Sequence, residues 1–264
     1  MSNLSRSLWR RKLRYRQRKL KRAKRRGDHV NARHWAFAVA EAKRHLGLLP
    51  RKPSPKPHAN LKGIDVSSYN GSVNWRDVRA AGYTFAVCKT SEGADWADPT
   101  WTPARVDAMR KAGIAIGVYH FLRPKVRAGG GKVEARYFIE RARSAGWGRA
   151  GDVRPVLDLE ATELRPAALV RYLVEVITEV KHLTGKPPIV YTGGPFWNES
   201  TDGHRDNYGC PLWLAAYVND PQPYLPAAWR RTNWALWQHT DKGSVPGVST
   251  PNVDQNLARY LPLL

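Results

Sequence analysis

From residue 61 onward, short apolar runs alternate with segments of helical periodicity, and this alternation constrains the fold more than any other feature of the sequence. It predicts strands at 63–67, 84–90, 114–122, 153–160 and 188–192, with helices at 74–81, 99–112, 132–145 and 166–183. Three further strands are predicted, with little helix between them, at 212–217, 234–240 and 253–257. Because repeated strand–helix units make strands parallel, about eight strands in roughly 200 residues predict an α/β fold closed into a barrel. The alternative is an open doubly wound sheet, but no Gly-rich phosphate loop follows the first strand, which disfavours a nucleotide-binding version.

The N-terminal part of the chain differs sharply in charge from the remainder. Residues 1–60 carry 19 Lys and Arg against two acidic residues, out of a net charge of +22 for the whole protein. Helical spacing predicts two short helices, at 4–26 and 28–46, joined by a turn at Gly27. Four prolines then predict a stiff spacer. We therefore predict three parts: a short basic α-helical hairpin at 1–49, a Pro/Lys-rich linker at 50–60 and an irregular TIM-like (β/α) barrel at 61–264.

Paired acidic residues at the end of the fourth predicted strand carry the strongest chemical signal. In the run 156–160 (VLDLE), a strand period of two places Asp158 and Glu160 on one face and the two leucines on the other. Two carboxyl groups this close do not both ionise cheaply, so one of them is expected to hold a proton. A protonated acid beside a charged one suits glycosidic bond cleavage. The alternative is a structural role in which the acids cap a helix or pair with nearby arginines.

Two further acids favour the catalytic interpretation. Asp65 ends the first predicted strand, with Ile64 and Val66 facing away from it, and Asp254 is placed at the end of the last predicted strand. Closing the barrel would bring all four acids, Asp65, Asp158, Glu160 and Asp254, to one mouth. Burying several carboxyl groups together is costly without a function, and barrel enzymes hold their active sites at the carboxyl ends of the strands.

Aromatic and polar residues at the same strand ends are the candidate substrate contacts. Sugar rings pack on aromatic faces, so each aromatic residue at these positions is expected either in the core or against a sugar. The candidates are Tyr119, Phe121, Tyr191, Trp213, Tyr217 and Trp237. Glu92 is either a substrate contact or a residue that orders its loop, and His120 is expected to be a buried supporting residue rather than a catalytic one.

Other classes of site lack a sequence signal. No group of His, Cys and acidic residues has the spacing of metal ligands, and no nucleophile elbow is present for a Ser-His-Asp triad. We expect neither a metal nor a cofactor. No apolar stretch is long enough for a transmembrane helix. Cys88 and Cys210 do not form a disulfide framework, and the apolar run around Cys88 predicts a buried free thiol.

A series of short motifs extends over residues 61–264 in a characteristic order. They are GIDVSSYNG at 63–71, KTSEG at 89–93, GVYHF at 117–121, DLE at 158–160, YTG at 191–193, WLAAY at 213–217, WQ at 237–238 and VDQN at 253–256. On these motifs the segment resembles glycoside hydrolase family 25, the Chalaropsis-type lysozymes common in bacteria and bacteriophages. Residues 1–60 lie outside the resemblance.

The resemblance implies a β/α barrel that hydrolyses the β-1,4 bond between N-acetylmuramic acid and N-acetylglucosamine in peptidoglycan. By position, Glu160 corresponds to the general acid. Asp158 corresponds to the residue that steadies the acetamido group of the substrate or the developing cation. Asp65 and Asp254 correspond to the other two acids of the family's site. Whether the reaction is retaining, inverting or substrate-assisted stays open.

The activity of the barrel, the partner of the basic segment and the location of the protein each have an alternative. The barrel could be a catalytically inactive glycan-binding module, although all four acids are present. We expect residues 1–58 to bind an anionic wall polymer such as teichoic acid or an anionic membrane; nucleic acid is the alternative partner for so basic a segment. The N-terminal charges precede no apolar run typical of a signal peptide, so we expect a monomeric phage endolysin that stays in the host cytoplasm until its release to the wall. An extracellular or virion-associated lysin is the alternative.

Overall fold

The structure, a computed structural model, describes residues 61–125 and 130–264, together with 13–15, 17, 18, 20–22, 24–26 and 39. The chain divides into two compact units, Met1–Lys56 and Pro57–Leu264. In the first unit the described residues are helical, except for Arg26 in a turn. The remaining positions of the predicted hairpin, and the linker 50–60, lie outside the described residues.

The second unit alternates strands and helices. Its strands are β1 (Leu61–Val66), β2 (Tyr83–Glu92), β3 (Trp96–Ala97), β4 (Ala115–Phe121), β5 (Val156–Asp158), β6 (Ile189–Gly193), β7 (Leu212–Ala215), β8 (Leu236–Gly243) and β9 (Val253–Ala258). Its helices are α1 (Trp75–Ala80), α2 (Pro103–Lys111), α3 (Gly130–Ser144), α4 (Pro166–Thr184) and α5 (Gly194–Ser200), with 3₁₀ turns at Ser68–Asn70 and Gln222–Tyr224. The helix expected from residue 99 begins at Pro103 because the Thr102 side chain caps it by accepting from the Arg105 amide.

Eight of the strands close into a barrel. Their order is β1-β9-β8-β7-β6-β5-β4-β2, and β1 also pairs with β2. The short β3 adds antiparallel pairing to the end of β2. The α/β fold and the TIM-like barrel are thereby confirmed, and the open doubly wound sheet is excluded.

The last strand runs against the other seven barrel strands. β9 is antiparallel to both β8 and β1. Only residues 244–252 separate β8 from β9, and a parallel crossover needs about a dozen or more residues. Asp254 was expected at the end of this strand, and that expectation is wrong: it lies near the start. Because the strand is reversed, its start lies at the carboxyl ends of the parallel strands, so Asp254 still reaches the mouth.

The barrel wall separates two apolar layers. Alternate residues such as Ile64, Val66, Leu157 and Leu159 face outward, where they pack in a large cluster with residues of the helices. Those of the other parity, such as Val156 and Leu236, fill the interior. The predicted outward orientation of the two leucines around Asp158 is thus confirmed, and it fixes which side chains reach the mouth.

The α3/α4 pair covers one side of the barrel. α4 buries Leu169, Leu173, Val176 and Val180, whose spacing matches one face of a helix. It starts with Pro166 in its first turn and ends at Gly185, whose positive φ suits a left-handed cap. At Gly131 the two helices approach so closely that a Cβ would lie 2.7 Å from the Tyr172 carbonyl oxygen.

Candidate active site

A polar pocket of about 180 Å³ opens at the carboxyl ends of the parallel strands. All four acids predicted from the sequence line it, and so do four of the six predicted aromatic residues and one amide. The lining residues are Asp65, Tyr119, Asp158, Glu160, Tyr191, Trp213, Tyr217, Gln238 and Asp254. Pockets for whole drug-sized ligands start at about 300 Å³, so this one holds a small unit of a larger substrate.

Barrel closure gathers the acids from three places in the sequence. Asp158 is the last residue of β5, and Glu160 follows two positions later. Asp65, on β1, is paired in register with Asp254 on the reversed strand β9. The β1–β9 pair therefore places Asp65 and Asp254 on one side of the mouth, and β5 places Asp158 and Glu160 on the other.

Asp65 is held by two buried amides. Asn256 Nδ2 donates to Asp65 Oδ2 at 2.7 Å, and Gln238 Nε2 donates to the two carboxylate oxygens at 3.1 and 3.3 Å. Hydrogen bonds to the charged form of a carboxyl group favour ionisation, whereas burial opposes it. Burial dominates and raises the pKa of Asp65 from 3.8 to about 6.

The pocket aromatics are tied to the same two amides. The hydroxyls of Tyr191 and Tyr217 donate to Gln238 Oε1 at 2.8 and 2.9 Å. Trp213 Nε1 donates to Asn256 Oδ1 at 2.8 Å. Each amide thus accepts from aromatic side chains on one side and donates to Asp65 on the other. This network fixes the amide orientations and leaves the rings at the pocket wall.

Asp254 is expected to be protonated near neutral pH. Burial, followed by the nearby charge of Asp65, raises its pKa from 3.8 to about 8. Asp65 and Asp254 are paired in register on β1 and β9, and the interaction between their carboxyl groups lowers the pKa of Asp65 and raises that of Asp254. A neutral Asp254 beside an ionised Asp65 removes one of the like-charge contacts in the pocket.

Asp158 and Glu160 also resist ionisation. Burial raises the pKa of Asp158 well above its usual value, and the charge of Glu160 raises it further. Burial raises the pKa of Glu160 as well, while the positive charges of Lys89 and Arg123 oppose that rise. Asp158 Oδ1 is buried and has no hydrogen-bond partner within the described part of the chain. It is an acceptor available to a bound molecule.

A cluster of two cations and one acid stands beside these carboxyl groups. Glu92 accepts from Lys89 Nζ at 2.6 Å and from Arg123 Nε at 2.7 Å, and both contacts lower its pKa. Phe121 lies under both cations, with its ring centroid 5.2 Å from Lys89 Nζ and 4.5 Å from Arg123 Cζ. Glu92 therefore orders the rim, which was one of the two roles considered for it.

Three predicted substrate contacts do not line this pocket. Trp237 packs in the outer apolar layer, and its Nε1 donates to the Ala216 carbonyl at 2.6 Å. The period of two places it on the opposite side of β8 from Gln238. Phe121 lies at the rim under the cations, and Glu92 borders a neighbouring cavity. The structure therefore does not place these three with the four acids.

His120 is a supporting residue, as expected. It is fully buried on the outer side of β4, where burial lowers its pKa. Its Nδ1 lies 2.8 Å from Ser91 Oγ, and its Nε2 lies 3.2 Å from Glu134 Oε2. Its ring stacks on Phe138 of α3, so the residue joins β2, β4 and α3.

The amides Gln238 and Asn256 were not predicted as site residues. Both carry the parity of known inward residues: Gln238 lies two positions after Leu236, and Asn256 two after Asp254. A neutral amide on an inward-facing strand position next to a buried acid was the signal available. Lys89, which is nearly buried among apolar neighbours, could have been found in the same way.

Neither a metal centre nor a redox centre is apparent among the described residues. That part of the chain contains no group of three or more His, Cys, Asp or Glu able to hold a metal ion. Cys88 and Cys210 are free, and burial raises the pKa of each to about 12, which keeps the thiols inert. The buried free thiol predicted for Cys88 is confirmed. None of the described helices is long and apolar enough to cross a membrane.

Comparison with known proteins identifies the family. Lysozyme M1 of Streptomyces globisporus is 32% identical over 222 residues, covering 80% of this chain and 72% of the relative. An N,O-diacetylmuramidase of Chalaropsis sp. is 29% identical over 192 residues, covering 69% and 88%. The crystal structure of a Streptomyces coelicolor lysozyme superposes with a TM-score of 0.65 at 30% identity, covering 75% and 91%. Residues 64–248 match the sequence pattern of the glycosyl hydrolases family 25, and the chain belongs to that family.

Proposed function

We propose that this glycoside hydrolase is a muramidase that cleaves the β-1,4 bond between N-acetylmuramic acid and N-acetylglucosamine in peptidoglycan, with Glu160 as general acid. Its family and its lysozyme relatives support the activity. The observation that carries the assignment is the gathering of four carboxyl groups in one pocket small enough for a sugar ring. A purely structural pocket would gain nothing from burying them together.

Cleavage of the glycosidic bond requires a proton at the leaving oxygen and stabilisation of positive charge at the anomeric carbon. Glu160 stands at the rim, and burial raises its pKa, which favours the protonated form that a general acid needs. Asp158 lies deeper, and its free Oδ1 can accept from the acetamido N–H of the bound sugar. A hydrogen bond from this N–H favours the ionised form of Asp158. The one proton held between Asp158 and Glu160 then stays on Glu160, and the negative charge of Asp158 lies near the developing cation.

Asp65 and Asp254 act on the opposite wall of the pocket. Asp65, held by Gln238 and Asn256, presents fixed carboxyl oxygens to the sugar hydroxyls, and Asp254 is paired with it in register. The tyrosine and tryptophan rings at the wall supply surfaces for the apolar faces of the sugar. In this assignment these groups position the ring, while the proton transfer belongs to Glu160.

The test is Glu160→Gln with purified peptidoglycan as substrate. Glutamine keeps the shape but has no acidic proton, so wall lysis should fall by about 10²- to 10⁴-fold while the fold is retained. Mass spectrometry of the released fragments should show reducing-end muramic acid for the wild type. The exposed Glu140→Gln on α3 is the matched control and should lyse walls at the normal rate.

Two results would contradict the proposal. Normal lysis by Glu160→Gln would show that Glu160 is not the general acid. Release of reducing-end glucosamine or of free peptides would show that the enzyme cleaves a different bond. An inactive glycan-binding barrel is the second candidate function, and it predicts wall binding without any fragments.

We also propose that the basic segment 1–58 binds anionic wall polymer or membrane. The support is its charge: all 19 Lys and Arg of residues 1–60 lie in it. Phosphate chains of teichoic acid attract such a segment as nucleic acid does.

Because lysozymes of this family are common in bacteriophages, we propose a monomeric endolysin held in the host cytoplasm until release. Its appearance in the medium of intact growing cells would contradict that setting.

A further inference from the structure

A second cavity lies beside the acid-lined pocket. Its volume is about 380 Å³, and Trp96, Arg123, Glu134 and Tyr172 are among its lining residues, together with Glu92 and Asp95. None of these is among the residues of the acid pocket. Two aromatic side chains stand here with charges of both signs, whereas every charged residue that lines the neighbouring pocket is acidic.

The two cavities share one rim of the barrel. Glu92, Phe121 and Asp158 lie in a single register row across β2, β4 and β5. Adjacent strands are about 4.8 Å apart, so Glu92 stands about 10 Å from Asp158. A substituent on a sugar held at Asp158 therefore has about 10 Å to travel before it meets the second cavity.

The second cavity contains side chains that could accept further contacts from a ligand. Tyr172 is only 5% exposed, and its hydroxyl has no close hydrogen-bond partner among the residues described, although it interacts with the nearby Glu134 carboxyl group. Trp96 is 41% exposed, although Lys89 Nζ lies 4.8 Å from its ring centroid. Glu134 is buried and accepts from the Arg123 amide at 3.1 Å. A buried hydroxyl without a close partner and an exposed indole are features expected where a ligand completes the contacts.

We propose that this cavity binds the peptide branch carried by the N-acetylmuramic acid unit of the substrate. The inference rests on the proposed muramidase function. The branch is a short chain of amides with carboxylates and an amine, which matches an aromatic wall, a buried hydroxyl and charges of both signs. An extended residue spans about 3.3–3.6 Å, so about three residues of the branch cover the distance from the sugar.

The test compares two substrates that differ only in the branch. One is peptidoglycan strands that keep their peptides, and the other is the same strands after an amidase has removed them. The wild type should have the lower KM for peptide-bearing strands. Trp96→Ala should raise that KM roughly 5- to 10-fold more than the KM for peptide-free strands, with kcat on the two substrates changing in parallel. Tyr172→Phe, which removes only the hydroxyl, should act in the same direction with a smaller effect.

Matched controls exclude a general effect of losing aromatic groups. Tyr260→Ala removes a half-exposed ring, and Tyr83→Phe a single hydroxyl, near the opposite end of the barrel. Both should leave the ratio of the two KM values at its wild-type level. Arg123 is unsuitable for this test because its charge also affects Glu160.

Distinct outcomes separate this proposal from the proposed function. Equal KM values of the wild type for the two substrates would overturn the peptide subsite while the muramidase stands. An equal rise for both substrates in Trp96→Ala would identify a glycan subsite instead. Failure of the wild type to release muramic acid ends from either substrate would overturn the muramidase itself. Thermal melting of each variant confirms that a changed KM belongs to a folded protein.

Discussion

At the scale of single residues, the acid pocket is governed by the cost of keeping charge out of water. Four carboxyl groups surround one small cavity, and burial raises the pKa of each. The protein lowers this cost by holding protons and by aiming the Gln238 and Asn256 amides at Asp65, whose charged form these hydrogen bonds favour. The retained protons depend on pH and the amide hydrogen bonds depend on single side chains, so single substitutions can measure each effect separately.

Asp254→Asn should stabilise the protein at alkaline pH. The pKa of Asp254 is about 8 in the folded state against 3.8 for an unperturbed group, so the folded protein retains a proton that the unfolded chain loses. Stability therefore falls as pH rises from about 4 to about 8, and asparagine removes that loss. Each 1 kcal/mol gained raises Tm by about 2–4 °C for a barrel of this size. Calorimetry should show the variant melting above the wild type at pH 8, with a smaller difference at pH 4.

The control for this prediction is Asp107→Asn. Asp107 is an exposed carboxyl on α2 that pairs with Lys111 at 2.7 Å. Surface pairs of this kind contribute about 0–1 kcal/mol, so its melting temperature should show no such gain at pH 8. An Asp254→Asn protein that melts at or below the wild-type temperature at pH 8 would show that Asp254 is ionised in the folded state.

Gln238→Glu should destabilise the protein at neutral pH and impair catalysis. The amide donates to Asp65 and accepts from two tyrosine hydroxyls. A glutamate would replace the donor with a second buried charge facing Asp65, and an uncompensated buried charge costs about 3–5 kcal/mol. The deficit in Tm should shrink toward pH 4, where the new carboxyl binds a proton. Gln255→Glu, on the outward side of β9, is the matched control, and an equal deficit there would refute the explanation.

The alternation of side chains along a strand predicted which residues face the pocket, but it did not predict which of them contact each other. It placed Asp158 inward and Leu157 outward from the sequence alone. It did not reveal Gln238 as a partner of Asp65, because an amide has no charge to mark it and because the contact joins β8 to β1 across 173 positions. Trp237 was chosen for its chemistry, although its neighbour Gln238 has the inward parity.

At the scale of elements, the sequence predicted strands better than their directions. All eight barrel strands were expected near their observed positions, because alternating apolar runs and intervening helices are local features. The reversal of β9 is not visible in its periodicity, which is the same for parallel and antiparallel strands. The short connection from β8 was the available signal, and it decides at which end of β9 Asp254 stands.

Gly194→Ala should destabilise the barrel through one element contact. α5 starts against the 3₁₀ turn Gln222–Tyr224, and a Cβ at Gly194 would overlap the Tyr224 carbonyl oxygen. The backbone must move to relieve this overlap, and overpacking of this kind costs about 1–3 kcal/mol. Denaturant unfolding should show this loss. Gly193→Ala is a closely matched control, because its φ is −86° and its Cβ would lie 3.8 Å from the Ala215 oxygen. Comparable losses in the two variants would contradict the role of this contact.

At the scale of the whole molecule, charge is divided along the chain. Residues 1–60 hold a net charge of +17, while residues 61–264 hold +5. The acid pocket belongs entirely to the second unit, so the proposed catalysis and the proposed attraction to an anionic surface belong to different parts of the protein. This division was readable from composition, whereas the partner of the basic segment depends on chemistry that composition does not specify.

Deleting residues 1–58 should weaken binding to cell walls while leaving the hydrolysis of soluble glycan fragments near its normal rate. The second unit contains the complete barrel, and the deletion lowers the net charge from +22 to +5. Attraction to a phosphate polymer falls steeply with salt because bound counterions are released, so the full chain should lose wall affinity between about 50 and 200 mM salt. The protein that lacks residues 1–58 should show a much smaller salt dependence.

Pull-down on walls with and without teichoic acid, and on duplex DNA, separates the partners. Undiminished wall binding by the deleted protein would refute the tether, and retention of the full chain by DNA but not by walls would assign the segment to nucleic acid.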